Sequence, residues 1–459
     1  MRSKYFGDRA FYARLIAVAG PILVQNVITN FVNLLDNIMV GQIGTESMSG
    51  VAIVNQLLFV FNLCIFGGLA GPGIFTAQYC GKGDMEGVRS TVRIKLFIAA
   101  GAVAVFAAAL LMKGGDLISL FLHEGQDTLD LSATLRHGQA YLRVMIWQML
   151  PFALMQVYSS SLRETGETLL PMKAGIAAVL VNLCLNWVLI FGKLGAPALG
   201  VGGAAIATLI ARIVECAIVL IWSHRHLARA PFVPGLYKTL HVPGKLIRQV
   251  AVMGAPLLAN EVLWSTGMTM LNQCYSVRGL EVVSATNISS TVSNLFFCAF
   301  FAIGNTISIL VGHYLGAGEL ERAVDEDRKL VTVSVLINIV IGALMALLAP
   351  LVPEIYNTTP TVKALAAQLM LVSSLLMPFH AFTNASYFTL RAGGQTGITF
   401  LFDSGFIWVL NVPLAFVLSR FTDMPIVTMY LCVQSLELVK CVLGLVLLRS
   451  KKWVNNLVK

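Results

Sequence analysis

Apolar residues run along this chain in long uninterrupted stretches, broken by short segments rich in charge, Gly or Pro. Runs of roughly 20 apolar residues are long enough to cross hydrocarbon as helix. They predict about twelve helices, near residues 13–40, 51–78, 91–112, 138–162, 168–192, 200–222, 246–272, 283–311, 330–349, 364–389, 397–419 and 425–448. The runs are continuous, without the alternation that a lumen imposes on barrel strands, so a β-barrel is excluded. The expected fold class is an all-α integral membrane protein of twelve transmembrane helices. Composition agrees: of 459 residues, 57% are hydrophobic and 12% charged, against about 25% charged in soluble domains. The basic start "MRSKYFGDRAFYARLIAVAG" leads into a run too long for a signal h-region and is expected to be a retained first span.

Sorting the basic residues by loop gives orientation, because cytoplasmic loops are enriched in Lys and Arg. With the amino terminus inside, about 23 of the 32 Lys and Arg fall on the inner side and about 6 on the outer. Both termini are therefore expected in the cytoplasm, and a bacterial inner membrane is the expected location. The net charge of +9 is accounted for by orientation, and nucleic acid is not needed to explain it. The segment Ser223 to Gln249 holds five Lys or Arg, three His, three Pro and no acid. It reads as a hinge, giving an amino-terminal lobe at 1–222, a basic linker at 223–245 and a carboxy-terminal lobe at 246–459. Eight cysteines show no C-x-x-C spacing and no clustering with His, so neither a disulfide framework nor a zinc site is suggested.

The halves repeat. Gly20-Pro21 meets Ala255-Pro256 at a shift of 235 residues (256 minus 21), and the same shift takes Glu46 to Glu281. It also lays "AQYCGKGDMEG" (Ala77 to Gly87) on "GHYLGAGELER" (Gly312 to Arg322), pairing Tyr79 with Tyr314, Gly81 with Gly316 and Asp84 with Glu319. A second echo pairs Met149 to Thr168 with Leu376 to Thr396, sharing Pro-Phe and Leu-Arg-x-x-Gly with one residue inserted. Six helices per half is an even number, so both copies enter the membrane from one side as parallel repeats, an arrangement found in rocking transporters.

Polar residues inside spans are the candidate chemistry. Asp36, in "LLDNIMVG", falls in the outer half of the first helix. Asn182 and Asn186, in "VLVNLCLNWVLIFG", are i,i+4 and share one face of the fifth helix. Thr208 on the sixth is expected at a comparable depth. A carboxylate, two amides and a hydroxyl are hard oxygen ligands that suit Na⁺, so Asp36, Asn182, Asn186 and Thr208 form the metal set if the ion is Na⁺. The carboxylate alone would serve a proton. An acid at mid-membrane costs at least ~2.5–3.5 kcal/mol on insertion scales, which favours a functional role. The alternative is that Asp36 hydrogen-bonds an asparagine as helix-packing glue.

In the second half, Glu261 lies near the middle of the seventh helix beside Asn260. Trp264, one turn on, would stack on an organic cation or pack against lipid. His380 would partner Glu261 or sense pH, or be a satisfied core residue. Arg212 with Glu215, and Glu437 with Lys440, read as i,i+3 pairs that neutralise one another. Asp403 and Arg143, near helix ends, are expected to snorkel. "CGKGD", "FGKLG" and "PGKLI" lack the flanking residues of a P-loop, and no H-E-x-x-H or G-x-S-x-G occurs. Neither ATP use, enzymatic chemistry nor a cofactor is expected.

"LLDNIMVGQIG", the "GKGD" and "GAGE" ends of helices two and eight, "LRETGET", "LRAGGQT", "NLCLNW" and "GVGGAAIAT" together resemble the multidrug and toxic compound extrusion (MATE) transporters over nearly the whole chain. The resemblance implies a V of two six-helix lobes, taken as a monomer in the lipid bilayer, that exports small amphipathic, often cationic, organic compounds in exchange for Na⁺ or H⁺. It implies a cation site at Asp36 with Asn182, Asn186 and Thr208. Some relatives carry an acid where Asn186 stands. The resemblance also points to Glu261 as the helix-seven acid of the carboxy-terminal lobe, while His380 or Thr383 stands where others have an Asp on helix ten. The rival within the broader superfamily is a lipid-linked saccharide flippase, which would line its cavity with several Arg for a pyrophosphate.

Overall fold

The computed structural model describes the backbone of residues 5–41, 45–119, 131–356 and 358–459; within these, the side chains at 32–38, 40–41, 45–46 and 131 lie outside the description. Every described element is helical, as continuous apolar runs require where no water can satisfy backbone N–H and C=O groups. The long helices are α1 (Arg9–Gly41), α2 (Thr45–Lys82), α3 (Met85–Ser119), α4 (Leu131–Glu164), α5 (Leu169–Phe191), α6 (Val201–Arg225), α7 (Gly244–Ser276), α8 (Leu280–Gly316), α9 (Leu320–Leu348), α10 (Pro360–Ala392), α11 (Thr396–Phe421) and α12 (Ile426–Arg449). Among the described residues eleven are long and apolar enough to cross a membrane. The other, α4, is as long, but Arg136, His137, Arg143, Gln148 and Gln156 lower its hydropathy. Many helices outrun the apolar stretches that predicted them, because hydropathy falls at the hydrocarbon edge while backbone hydrogen bonding carries the helix on.

The chain forms two compact units. One comprises Val24–Thr76 and Met85–Arg248; the other comprises Met1–Leu23, Ala77–Asp84 and Gln249–Lys459. Below they are the amino-terminal and carboxy-terminal units. Their boundary runs through α1 and α2, so the first turns of α1 and the last of α2 pack with the later helices. Phe11 and Leu15 of α1 join Ile307, Leu330, Phe388 and Trp453 in one buried cluster of the carboxy-terminal unit.

Part of the segment 223–245, expected as a linker, packs on the amino-terminal unit. Arg93 of α3 donates from Nε to the Leu236 carbonyl at 2.9 Å and from Nη2 to that of Gly235 at 3.2 Å. Tyr158 and Tyr237 share a hydrogen bond, and Ala230, Phe232 and Leu236 are wholly buried. The apolar residues interleaved among the linker's charges make this packing.

In the carboxy-terminal unit the end of α2 crosses α8 through two glycines equivalent by the 235-residue shift. A Cβ on Gly81 would overlap the His313 carbonyl, and one on Gly316 would overlap the Gln78 carbonyl; positions 78 and 313 are themselves equivalent. Gln78 then binds the carboxy-terminal tail, donating to the Asn455 carbonyl at 3.2 Å and accepting from Leu457 N at 2.8 Å. Gly316→Ala is expected to destabilise by about 1–3 kcal/mol, as overpacking does, despite the ~1 kcal/mol that Ala gains in helix propensity, because a backbone carbonyl cannot step aside. An unchanged thermal unfolding midpoint would show that the crossing can open at no cost.

Candidate functional site

In the amino-terminal unit α2, α4, α5 and α6 enclose a cavity of about 560 Å³. Small residues make the space: Gly175 and Ala178 on α5, Ala204 and Ala211 on α6. The same helix faces carry the predicted polar residues. Asn186 and Asn182 are 1% and 7% exposed, on the one face that i,i+4 spacing demands. Asn186 Nδ2 donates to Asn182 Oδ1 at 3.1 Å, Asn182 Nδ2 donates to Thr208 Oγ1 at 3.2 Å, and the Thr208 hydroxyl donates to the Ala204 carbonyl at 3.0 Å. Each donor is thereby directed along the chain of bonds. The three predicted residues of α5 and α6 are thus brought together on a cavity wall. The side chain of Asp36 lies outside the described residues.

Thr29 of α1 also lines the cavity, as do Asn55, Gln56 and Asn62 of α2 and Tyr141 and Gln148 of α4. Tyr141 donates to Asn55 Oδ1 at 3.3 Å. Sequence reasoning missed these; the available signal was three amides inside one apolar run. Arg212 pairs with Glu215 at 2.7 Å as expected. Its guanidinium also lies 5.4 Å from the Phe152 ring centroid, and both members of the pair line the cavity.

The carboxy-terminal unit holds its candidates differently. Asn260, 2% exposed, donates to Asp403 Oδ2 at 3.1 Å and accepts from the Ser404 hydroxyl at 2.7 Å. Residues 401–405 and 407–411 of α11 are wound as π-helix. Such widened turns are frequent at functional sites; here they precede Pro413, which lacks an N–H, and carry Asp403 and Ser404 against α7.

Three sequence expectations are corrected in this unit. Asp403 does not snorkel: its side chain is 17% exposed and accepts from Lys440 Nζ at 3.0 Å. Glu437 and Lys440 do not simply neutralise one another, because each has a partner on another helix. Glu437 accepts from the Thr383 hydroxyl and faces His380 Nδ1 at 3.5 Å, so His380 meets Glu437 and not Glu261. The physical reason is reach: helices α10 and α11 present groups to α12 from the side, which an i,i+3 count along α12 cannot reveal. Glu261 is half-buried, with Arg391 and Asp403 as the charged groups acting on it. Trp264 packs against the cluster of Leu271, Tyr275, Ile407 and Met429.

Comparison with known proteins bears on this arrangement. The MatE family model matches residues 21–188 and again 256–417, starting at Pro21 and Pro256, one repeat step apart. The "Probable multidrug resistance protein NorM" of Thermotoga maritima is 26% identical over 448 residues, 97% of this chain and 93% of the relative. The Vibrio cholerae multidrug resistance protein NorM is 26% identical over 420 residues, 89% of this chain and 87% of the relative. Among solved structures, a mutant of the Vibrio cholerae MATE transporter VcmN superposes with a TM-score of 0.86 at 17% identity, covering 97% of this chain and 98% of that one. An outward-facing multidrug resistance MATE family transporter of the MOP superfamily gives 0.84 at 16% identity, with 98% of each covered. With the family model spanning both repeats and the fold shared from end to end, this chain belongs to the MatE family.

Proposed function

We propose that the protein is a multidrug antiporter that exports small amphipathic, often cationic, organic compounds across a bacterial inner membrane in exchange for Na⁺ or H⁺, by alternating access. The repeats at 1–222 and 246–459, joined by 223–245, act as its two lobes, with both termini in the cytoplasm. The observation that carries this reading is the buried amide and hydroxyl chain Asn186–Asn182–Thr208 on the wall of a 560 Å³ cavity. Those oxygens, with the carboxylate of Asp36, form the cation site. Asp36 stands seven residues after the cavity-lining Thr29, two turns along α1. Cation arrival drives export only if the ion prefers one conformation over the other, since equal affinity would shift nothing.

A flippase is disfavoured: Arg212 is committed to Glu215, and Arg143 is exposed and not among the cavity residues. The reading is tested by dye efflux from vesicles with Na⁺ and pH gradients imposed separately. Efflux is expected to follow one gradient and to collapse when that gradient is dissipated. Efflux indifferent to both would refute ion coupling.

A further inference from the structure

Lys440 is a buried cation of the carboxy-terminal unit that the transport reading leaves unused. It is 8% exposed, as is Glu437 one turn before it. Its ammonium donates to Asp403 at 3.0 Å and lies 5.2 and 6.0 Å from the ring centroids of Phe402 and Phe406, within cation–π range. The other oxygen of Asp403 is held by Asn260, and Glu437 is held by Thr383 and His380. One carboxylate, Asp403, is thus bonded to the ammonium and a second, Glu437, acts on it through space; Glu261 on α7, itself facing the charge of Arg391 on α10, is the further charge acting on Asp403. A buried ion costs several kcal/mol, recovered only when its pairing is complete, so a lysine kept here calls for an explanation beyond packing.

The repeat supplies one. The shift that carries Leu162 onto Leu390 is 228 residues (390 minus 162), and it carries Gly175 of α5 onto Asp403 of α11. The 235-residue shift carries Gln25 onto Asn260. In the amino-terminal unit Gln25 is the side chain that a Cβ on Gly175 would meet, at 3.1 Å, and in the other unit Asn260 bonds Asp403. The contacts are equivalent. One repeat leaves an open cavity beside Gly175; the other puts a carboxylate at that position and closes an ammonium over it.

We propose that Lys440 is a tethered counter-cation, occupying between Asp403 and Glu437 the place a free monovalent cation would otherwise take, so that the carboxy-terminal unit binds no ion and coupling runs through the amino-terminal unit alone. The second half of this statement rests on the proposed function; the first half does not.

The test uses full-length protein in detergent at fixed pH and ionic strength, in the Asp36→Asn background. Thermal unfolding midpoints are compared in choline, Na⁺ and propylammonium, the last being the part of the side chain that Lys440→Ala removes. The readout is the difference between Lys440 and its replacement, so an ion response from elsewhere cancels and failure of the Asp36 assignment does not imitate failure here. Lys440→Ala should melt lower in choline and be restored, saturably and by several degrees, by Na⁺ and propylammonium, while the Lys440 parent shows no such gain. Equal loss in all three salts would overturn the proposal, as would a Na⁺ response of the Lys440 parent that Asp403→Asn removes. Should the alanine variant fail to fold, Lys440→Gln, one atom shorter than lysine and uncharged, keeps most of the side-chain bulk and is judged by the same outcomes, with Na⁺ as the restoring ion.

Discussion

Asp36→Asn is expected to reduce drug resistance to the level of cells lacking the transporter and to abolish gradient-dependent efflux, with membrane expression unchanged. Among the four proposed cation ligands, Asp36 is the one that carries charge. Asn182, Asn186 and Thr208 can orient an ion, but amides and a hydroxyl cannot release a proton near neutral pH or supply the net attraction that draws Na⁺ out of water. The substitution keeps the side-chain size and removes a group costing at least ~2.5–3.5 kcal/mol to insert, so membrane insertion is expected to be unimpaired. Resistance measured beside an immunoblot of the membrane fraction separates the two effects. Efflux that persists in the mutant and still follows the ion gradient would remove Asp36 from the mechanism.

The largest stability effect is expected at Lys95. Its side chain is wholly buried on α3, and its ammonium bonds Glu164 and donates to Ser160 at 3.1 Å and Ser161 at 3.3 Å, all on α4. Lys95→Ala leaves the Glu164 carboxylate without its main counter-charge, and breaking a buried pair from one side costs about 3–5 kcal/mol. The double variant Lys95→Met/Glu164→Gln removes both charges and should recover most of that loss, since replacing a whole buried pair is often close to neutral. Unfolding midpoints of the two variants and the parent decide it. A single variant as stable as the parent would mean that water reaches Glu164.

These expectations rest on features of unequal legibility. The apolar runs revealed the helices because hydrocarbon leaves the backbone few other choices, and the face shared by Asn182 and Asn186 followed from helical period alone. Both survive because they are local. What sequence could not give was lateral reach. Lys440 is three residues from Glu437 yet bonds Asp403, 37 positions away, and His380 meets Glu437 on α12, where Glu261 was the expected partner. The amides of α2 were visible as polar residues in an apolar run, but nothing in the run says that they face the cavity of α5 and α6. The basic linker shows the same limit: its composition suggested a hinge, and nothing in it said that Phe232 and Leu236 would pack onto the amino-terminal unit. The π-helical turns of α11 are a response to Pro413 and to Asn260 across the interface with α7, and so belong to tertiary structure.

Ion binding by the purified protein is the most direct measurement of the central claim, that the carboxylate on α1 and the oxygens of Asn182, Asn186 and Thr208 load the driving ion. Radiolabelled Na⁺ retention and drug-evoked proton release are measured on wild type, Asp36→Asn and Asn186→Leu. One of the two signals should be present in wild type, absent in Asp36→Asn and weakened in Asn186→Leu. The same signal undiminished in Asp36→Asn would contradict the account.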